Sequence, residues 1–523
     1  MRRVGIDVGG THTDAVLMDG DRIVATTKRP TTADVFSGTT DALDHLLDSV
    51  SADDARIEAV MLGTTQFTNA VVERRELQPV SAVRIGLPSG EDLPPFVGWP
   101  EDLAAKVKAG VHMLDGGWLY DGSSLAPMDS GQVNRLIDEL GTSGTRAVCL
   151  SSVFAPLNPE LERRLAESIS AELPDVQVSE SYAMGQLGLL ERENAALLNA
   201  SLLSFAGRVV DAFVAAIAGR GLDCPFYISQ NDGTLMTAEF ARNFPALTFA
   251  SGPTNSLRGA CKLTGVSDAI VVDIGGTTSD VGVLQNGFPR QSNTVIEVGG
   301  VRTNFRMPDI LALGLGGGSE VSDSGHRVGP QSVGHRLMQE GLVFGGDTLT
   351  ATDIVVAAGL ADVGTPAAVS QIDKAVVSTA RATMRDMLNH TIEQMRPSRD
   401  PLPVILVGGG AILVSEPLAG ASETLRPEHA DVANAIGAAI AQVGGESESL
   451  VSYDSVGRDA ALKTVTAAAT KTALAAGAAE PTLRVADIQE TPIAYMSGRT
   501  TRLRVKVIGD IDPNAASQKA STQ

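Results

Sequence analysis

The apolar positions of this chain follow two periods. Residues 1–27 read as strand, turn and strand: the run Val4–Val8, a Gly-Gly turn, then Ala15–Met18 and Ile23–Ala25. The stretch "DALDHLLDSV" (41–50) changes to a helical repeat that puts Ala42, Leu43, Leu46, Leu47 and Val50 on one face. Residues 86–101, "GLPSGEDLPPFVGWPE", hold too much proline and glycine for a regular element and are expected to form a loop. A strand at Ala147–Val153 precedes a helix with Leu161, Leu165, Ile169 and Leu173 in register, and an Ala- and Leu-rich helical section covers 186–220.

The second half begins again with strand, turn and strand at 269–284. "PVILVGGGAILV" (403–414) reads as a buried strand ending in a glycine turn. "DVANAIGAAIAQVGG" (431–445) reads as a helix with Val432, Ile436, Ile440 and Val443 on one side and a Gly-Gly stop. Residues 480–508 are expected to be β-rich, and the polar tail from Asp512 to fray.

The two openings are copies. Laying "VGIDVGGTHTDAVLMD" (4–19) over "VVDIGGTTSDVGVL" (271–284) matches Asp7 to Asp273, Gly9-Gly10 to Gly275-Gly276, Thr11 to Thr277 and Asp14 to Asp280. Two halves that start with one hairpin predict two related α/β lobes. A chain of 523 residues exceeds one ordinary core, and the boundaries expected are 1–185, 186–445 and 446–523.

Composition narrows the chemistry. A net charge of −21 argues against nucleic acid, whose phosphates call for clustered Lys and Arg. Cys149, Cys224 and Cys261 are too dispersed for a disulfide framework, a zinc ribbon or an iron–sulfur site, which suits a reducing compartment. No run approaches the ~18 uncharged apolar residues of a membrane span, so a cytoplasmic protein with no membrane partner is expected.

The repeated D-x-G-G-T carries the candidate site. Adjacent glycines at a bend let consecutive N–H groups point at one anion, a nest that suits phosphate. Gly9, Gly10, Gly275 and Gly276 would form two such nests, with hydroxyls of Thr11, Thr13, Thr277 and Thr278 as further donors. Asp7 and Asp273, the last strand residues before each turn, could hold hydrated Mg²⁺ or orient a nucleophile. Two hairpins facing across a cleft would grip a polyphosphate from both sides. Neither a Walker loop nor a Rossmann fingerprint is present, because the turn leads into a second strand.

Paired D-x-G-G-T hairpins followed by the glycine turn Gly408, Gly409 and Gly410 resemble the phosphate 1, phosphate 2 and adenosine motifs of the actin / sugar kinase / Hsp70 superfamily. The order of segments is more closely similar to the hydantoinase A / 5-oxoprolinase family. It is carried by "GIDVGGTHTDAVLMD" (5–19), "GTTQFTNAVVERR" (63–75), "SQNDGTLMTAEFARNFPALTFASGPTNSLRGA" (229–260), "VVDIGGTTSDVGVL" (271–284), "GLGGGSEV" (314–321) and "VGPQSVG" (328–334). The pattern departs from the family at Asp309-Ile310-Leu311 and at "HRLMQEG" (335–341).

The resemblance implies an α/β two-lobed actin-like (ribonuclease H-like) ATPase fold with duplicated lobes and a small C-terminal β-containing region. It implies ATP and Mg²⁺ as cofactors and ATP-dependent opening of a cyclic amide such as hydantoin, N-methylhydantoin or 5-oxoproline. Asp7 and Asp273 would be the catalytic and metal-holding residues. Substrate contacts would come from Thr64, Thr65 and Asn69, against the alternative that these cap a helix. The Ser-Gly-Pro turn of "ASGPTN" (250–255) and the N–H groups of Gly316 and Gly317 would lie near the nucleotide. A B-type second subunit and an oligomer are implied as partners. The rival readings are an ATP-driven switch such as a reactivating chaperone, and a small-molecule kinase. His326 and His335 fit no ligand spacing, and His12 stands where the second copy has Thr278, which argues against an acid–base role.

Overall fold

The computed structural model describes residues 1–9, 12–31, 35–50, 57–292, 295–493 and 499–512. Gly10, Thr11 and the tail beyond Asp512 lie outside the described residues.

The chain starts with an antiparallel meander of β1 (Arg2–Val8), β2 (His12–Asp19) and β3 (Arg22–Pro30), and β4 (Ala59–Thr64) pairs parallel with β1. The helix Val35–Asp48 covers this sheet, and Ala42, Leu43 and Leu46 of the expected stripe are buried. Each such leucine, taken from water, contributes roughly 1.5–3 kcal/mol.

Residues 80–180 then build a separate parallel sheet from β5 (Val80–Leu87), β6 (Lys108–Asp115), β7 (Ala147–Ser152) and β8 (Gln177–Glu180), ordered β6-β5-β7-β8. The chain returns through the long helix Leu189–Ala218, and β9 (Phe226–Ser229) and β10 (Leu235–Thr237) extend the first sheet past β4. By length and composition this helix is apolar enough to cross a membrane, although its Arg and Glu residues keep it from being a run of uncharged apolar residues. It is instead a core helix, because Arg192, Glu193, Asn194 and Asn199 are buried along it with protein partners. The Arg84 guanidinium forks onto Glu193, at 2.7 and 2.5 Å, and Arg192 donates to the Ser152 carbonyl at 2.5 Å. These bonds tie the helix to the parallel sheet.

The second lobe repeats the plan. Here β11 (Ala269–Ile274), β12 (Ser279–Gln285) and β13 (Phe288–Pro289) form the meander. An excursion follows through β14 (Ile296–Val298), β15 (Val301–Thr303), β16 (Ile310–Leu313), β17 (Ser319–Ser322) and β18 (Arg327–Ser332). Then β19 (Leu402–Val407) pairs parallel with β11, and β20 (Ala421–Leu425) with β19. The orders β3-β2-β1-β4-β9 and β13-β12-β11-β19-β20 are the same, with the same strand directions. Apolar β11 and β19 pack on the helix Lys374–Met395 through Met384, Leu388 and Ile392.

The sheets cut across the boundaries expected from the sequence. β21 (Val443–Ser452), β22 (Arg484–Pro492) and β23 (Thr500–Gly509) supply the C-terminal β region but belong to the first sheet, ordered β22-β23-β21-β10. β9 and β10, past residue 185, belong to it too. The helix expected over 431–445 also stops early, at Ile440, and Val443, Gly444 and Gly445 begin β21. These glycines are needed there because a methyl on Gly444 would overlap the Thr234 side chain, and one on Gly445 the backbone of Ala473.

Between the lobes the chain passes twice, as two helices that cross. Ser251–Thr264 leads into β11, and Ala433–Ile440 leads into β21. A Cβ on Gly259 would overlap the Ala433 backbone, and one on Gly437 the Asn255 backbone, so the crossing is as close as two backbones permit.

Candidate active site in the interlobe cleft

The two hairpins match in the residues that flank their turns. Asp7 pairs with Asp14 and Asp273 with Asp280 across their ladders. The Gly9 N–H then donates to the His12 carbonyl at 3.0 Å, and the Gly275 N–H to the Thr278 carbonyl at 2.9 Å. A side chain at either glycine would press on that carbonyl, at 3.0 and 3.2 Å. Thr277 and Thr278 stay at the surface of the second turn. Thr13 does not. It is buried in β2 with its hydroxyl 3.3 Å from that of Thr31, so it is spent inside the lobe rather than offered to a phosphate. Its counterpart Ser279 is likewise buried, donating to the Leu315 carbonyl at 2.6 Å.

The crossing helices hold the carboxylates. Asp7 is buried and accepts from Asn255 Nδ2 on Oδ1 and Asn434 Nδ2 on Oδ2, both at 3.1 Å. Asn434 also donates to Asp14 Oδ2 at 2.9 Å, and Lys28 of β3 reaches Asp14 Oδ1 at 2.6 Å and the Asp431 carbonyl at 3.0 Å. Asp273 accepts from Ser256 Oγ at 2.5 Å. Burial pushes Asp7 up to about 6, against the Asn255 bond and helped by the charges of Asp14 and Asp273. Burial also raises Asp273, with Ser256 and Lys28 opposing, and pushes Asp280 up to about 7 with the help of Asp273. Carboxylates from both lobes therefore feel one another across the cleft.

Glycines make room for these acids. On β4, beside Asp7, a methyl at Gly63 would overlap Asp7 Oδ1. After β19, Gly408 (φ +83) does the same for Asp273 Oδ1, and a methyl at Gly410 would come 2.5 Å from Ile274 Cγ2. The neighbours that a side chain at Gly408 or Gly410 would strike are thus hairpin atoms, and among the described residues Gly409 meets only Lys28 Cε at 3.8 Å.

Other sequence candidates are spent structurally. Gly316 N–H donates to Ser319 Oγ at 2.8 Å, Gly317 N–H to the Gly275 carbonyl at 3.0 Å and Gly318 N–H to the Gly276 carbonyl at 2.7 Å. The triple glycine braces the second turn instead of presenting donors, since outward carbonyls of a tight turn need partners of their own. Thr64 is buried just before the helix N-cap Thr65, its hydroxyl accepting from the Gln66 N–H at 3.2 Å, while Thr65 makes no side-chain cap bond. Thr65 and Asn69 sit on the outer side of that helix start, 3.5 Å apart at Oγ1 and Nδ2. Ser-Gly-Pro is no free turn: it opens the first crossing helix, and Ser251 Oγ donates to the Thr64 carbonyl at 3.1 Å. Among the described residues no group of three His, Cys, Asp or Glu is arranged around a metal, and Asp309 is paired with Arg290 at 2.6 Å.

Sequence reasoning missed Asn255, Ser256, Asn434 and Lys28. Asn255 ends a segment already of interest, but an Asn one residue from a Ser carries no signal until a helix aims them at different lobes. A hydrated cation fits what is present: Asp7 and Asp273 repel each other, and Asn255 Oδ1 is buried without a donor among the described residues.

A 3-2-1-4-5 sheet occurring twice, with matched acidic turns facing a cleft bridged by two helices, defines a two-lobed actin-like (ribonuclease H-like) ATPase fold. Residues 3–173 match the hydantoinase/oxoprolinase N-terminal region, and 192–365 match hydantoinase/oxoprolinase. The chain belongs to the hydantoinase/oxoprolinase family. Caprolactamase subunit alpha of Pseudomonas jessenii is 30% identical over 391 residues, covering 69% of this chain and 55% of the relative. Acetophenone carboxylase gamma subunit of Aromatoleum aromaticum is 27% identical over 404 residues, covering 68% and 53%. The chain thus spans about half the length of the curated relatives it matches. In structure, the ATP-dependent caprolactamase of Pseudomonas jessenii superposes with a TM-score of 0.77 at 20% identity, over 98% of this chain and 88% of that one. Nucleotide-free acetone carboxylase superposes with a TM-score of 0.66 at 17% identity, over 98% and 88%.

Proposed function

We propose that this chain is the ATP-binding part of an enzyme that opens a cyclic amide at the expense of ATP, with a second subunit completing the assembly. The observation that carries the reading is the matched pair Asp7 and Asp273, each set before a Gly-turn and each held by a side chain from the same crossing helix. Relatives that include a caprolactamase subunit support it, and their naming as alpha, beta and gamma subunits supports a partner.

An unstrained lactam resists water because its carbonyl is stabilised by the ring nitrogen. Bound ATP would supply a phosphoryl group to the amide oxygen, making the ring carbon open to water. Expulsion of the protonated ring nitrogen would then break the C–N bond and leave an acyl phosphate, which a second water would hydrolyse to the carboxylate and inorganic phosphate. Asp7 and Asp273 would hold Mg²⁺, which screens phosphate charge. The turns at Gly9 and Gly275 bring backbone to the cleft where a side chain would press on a turn carbonyl, and Lys28 adds a positive charge beside Asp14 and Asp273. Lobe closure about the crossing helices would exclude water until the ring is in place.

The carboxylase relatives favour a second reading, ATP-driven activation of a ketone carbonyl for carboxylation. ADP release would be measured with caprolactam, hydantoin, 5-oxoproline, acetophenone plus bicarbonate, and glucose. Stimulation by a cyclic amide with one ring opened per ATP is the expected result. Stimulation by the ketone alone moves the assignment to carboxylation, and phosphorylated sugar to a kinase. Failure to bind Mg·ATP at all rejects both ATP-dependent readings.

A further inference from the structure

Asn255 and Ser256 are neighbours on one helix, yet their side chains end on different lobes. Asn255 Nδ2 meets Asp7 of β1 at 3.1 Å, and Ser256 Oγ meets Asp273 of β11 at 2.5 Å. Successive helical residues point about 100° apart, which lets one turn face both sides of a cleft.

The helix is anchored so that it cannot yield to one lobe alone. At its start Ser251 holds the Thr64 carbonyl of β4. One turn further on, the backbone of Asn255 lies against Gly437, and Gly259 lies against Ala433, with no room for a methyl at either contact. Arg258 donates to the Gly287 carbonyl of the second lobe at 2.6 Å and lies over the Phe288 ring at 4.1 Å. Lys506 of β23 approaches the same ring at 4.7 Å while paired with Asp232 at 2.9 Å, so the C-terminal strand of the first sheet grips the second lobe at this point.

We propose that Asn255 and Ser256 are positioning residues: together they set Asp7 and Asp273 at the separation that phosphoryl transfer needs, and they make each carboxylate's placement depend on the other lobe. The inference rests on the ATP-dependent reading above. Two bonds that merely satisfied local polar groups would act separately. Bonds made by adjacent residues of one anchored helix act as a unit, because the separation of the two acids is set only while both are held to the same fixed backbone, so releasing either one loses it.

The test uses Asn255→Ala, Asn255→Asp, Ser256→Ala, Ser256→Thr and the double alanine variant in the intact protein, with its partner subunit if one co-purifies. Each alanine variant is expected to lower kcat for ATP about ten-fold or more with KM for ATP within about three-fold, the mark of a group that acts on the transition state. Ser256→Thr, which keeps the hydroxyl, is expected to recover most of kcat. The double variant is expected to be little worse than either single one. Amide hydrogen exchange with Mg²⁺ and a non-hydrolysable ATP analogue gives a readout that needs no ring substrate. The wild-type protein should gain protection at both 2–8 and 269–274, and each alanine variant should lose it at both. Single effects that multiply, a loss confined to KM, or protection lost only in the strand whose own carboxylate was disturbed would overturn the proposal. A wild-type protein that gains protection but opens no lactam would sink the substrate assignment and leave this inference standing.

Discussion

One Asn434 amide bridges the two acids of the first hairpin, donating to Asp7 Oδ2 at 3.1 Å and to Asp14 Oδ2 at 2.9 Å. The residue comes from the second crossing helix, so the first lobe's acidic pair is ordered by chain more than four hundred residues away. Asn434→Asp replaces a donor with a third carboxylate against two buried acids. The expected result is a larger loss of stability than Asn434→Ala causes, on the order of 1–3 kcal/mol for an unsatisfied buried group and more for a like charge. Urea titration of both variants checks the order.

Lys28 is the cation that Asp14 is given. Asp14 is buried while Lys28 is partly exposed, so removing the lysine leaves an acid with one amide partner in a desolvated place. Lys28→Met is expected to cost about 1–3 kcal/mol of stability and to weaken Mg·ATP binding. Calorimetry and denaturant unfolding measure the two effects, and unchanged binding would remove Lys28 from the nucleotide's surroundings.

Gly63→Ala and Gly408→Ala put a methyl into the space of the Asp7 and Asp273 carboxylates. Both are expected to abolish ATP turnover and to destabilise by roughly 1–3 kcal/mol, as overpacking does. Gly207→Ala is the control: it lies within the long helix with Arg242 Nη1 at 3.9 Å as its nearest neighbour. There the substitution is expected to stabilise by about 0.5–1 kcal/mol, because alanine loses less backbone entropy than glycine. Thermal unfolding separates the three.

Glu162 offers a pH test away from the cleft. It is buried between the parallel sheet and the long helix, accepting from the Ser152 N–H at 2.7 Å, Ser181 Oγ at 2.8 Å and the Tyr182 N–H at 3.1 Å. Burial pushes it from the ordinary 4.5 up to about 7, with Arg192 and those bonds opposing. Between these values the folded chain binds more protons than the unfolded one, so this contribution is complete below 4.5 and is lost as pH rises through 7. The stability difference between wild type and Glu162→Gln is therefore expected to shrink over that interval, by about 1.4 kcal/mol per pKa unit. A difference that stays flat from pH 5 to 7.5 would show that Glu162 remains ionised throughout.

The duplicated hairpin was legible in the letters because it is local: strand alternation, a glycine pair and an acid before the turn all lie within about fifteen residues. The strands at 4–8, 147–152 and 402–407 and the stripes at 42–46 and 161–169 were legible for the same reason. What the glycines do was less so. "LGLGGGSEV" read as a donor-rich loop, but Gly317 and Gly318 bond the second turn; "VGGG" read as a glycine turn of the adenosine type, and Gly408 clears space for Asp273.

By itself the sequence determined that there are two like lobes, each with an acidic Gly-turn, since periodicity and turn chemistry depend only on near neighbours. Tertiary structure alone decided that the C-terminal strands complete the first sheet and that Asn255, Ser256, Asn434 and Lys28 surround the acids. Those partners meet through two helices crossing at glycines, and which residues face each other across such a contact is set by the distance and angle between backbones, which no short stretch of sequence encodes.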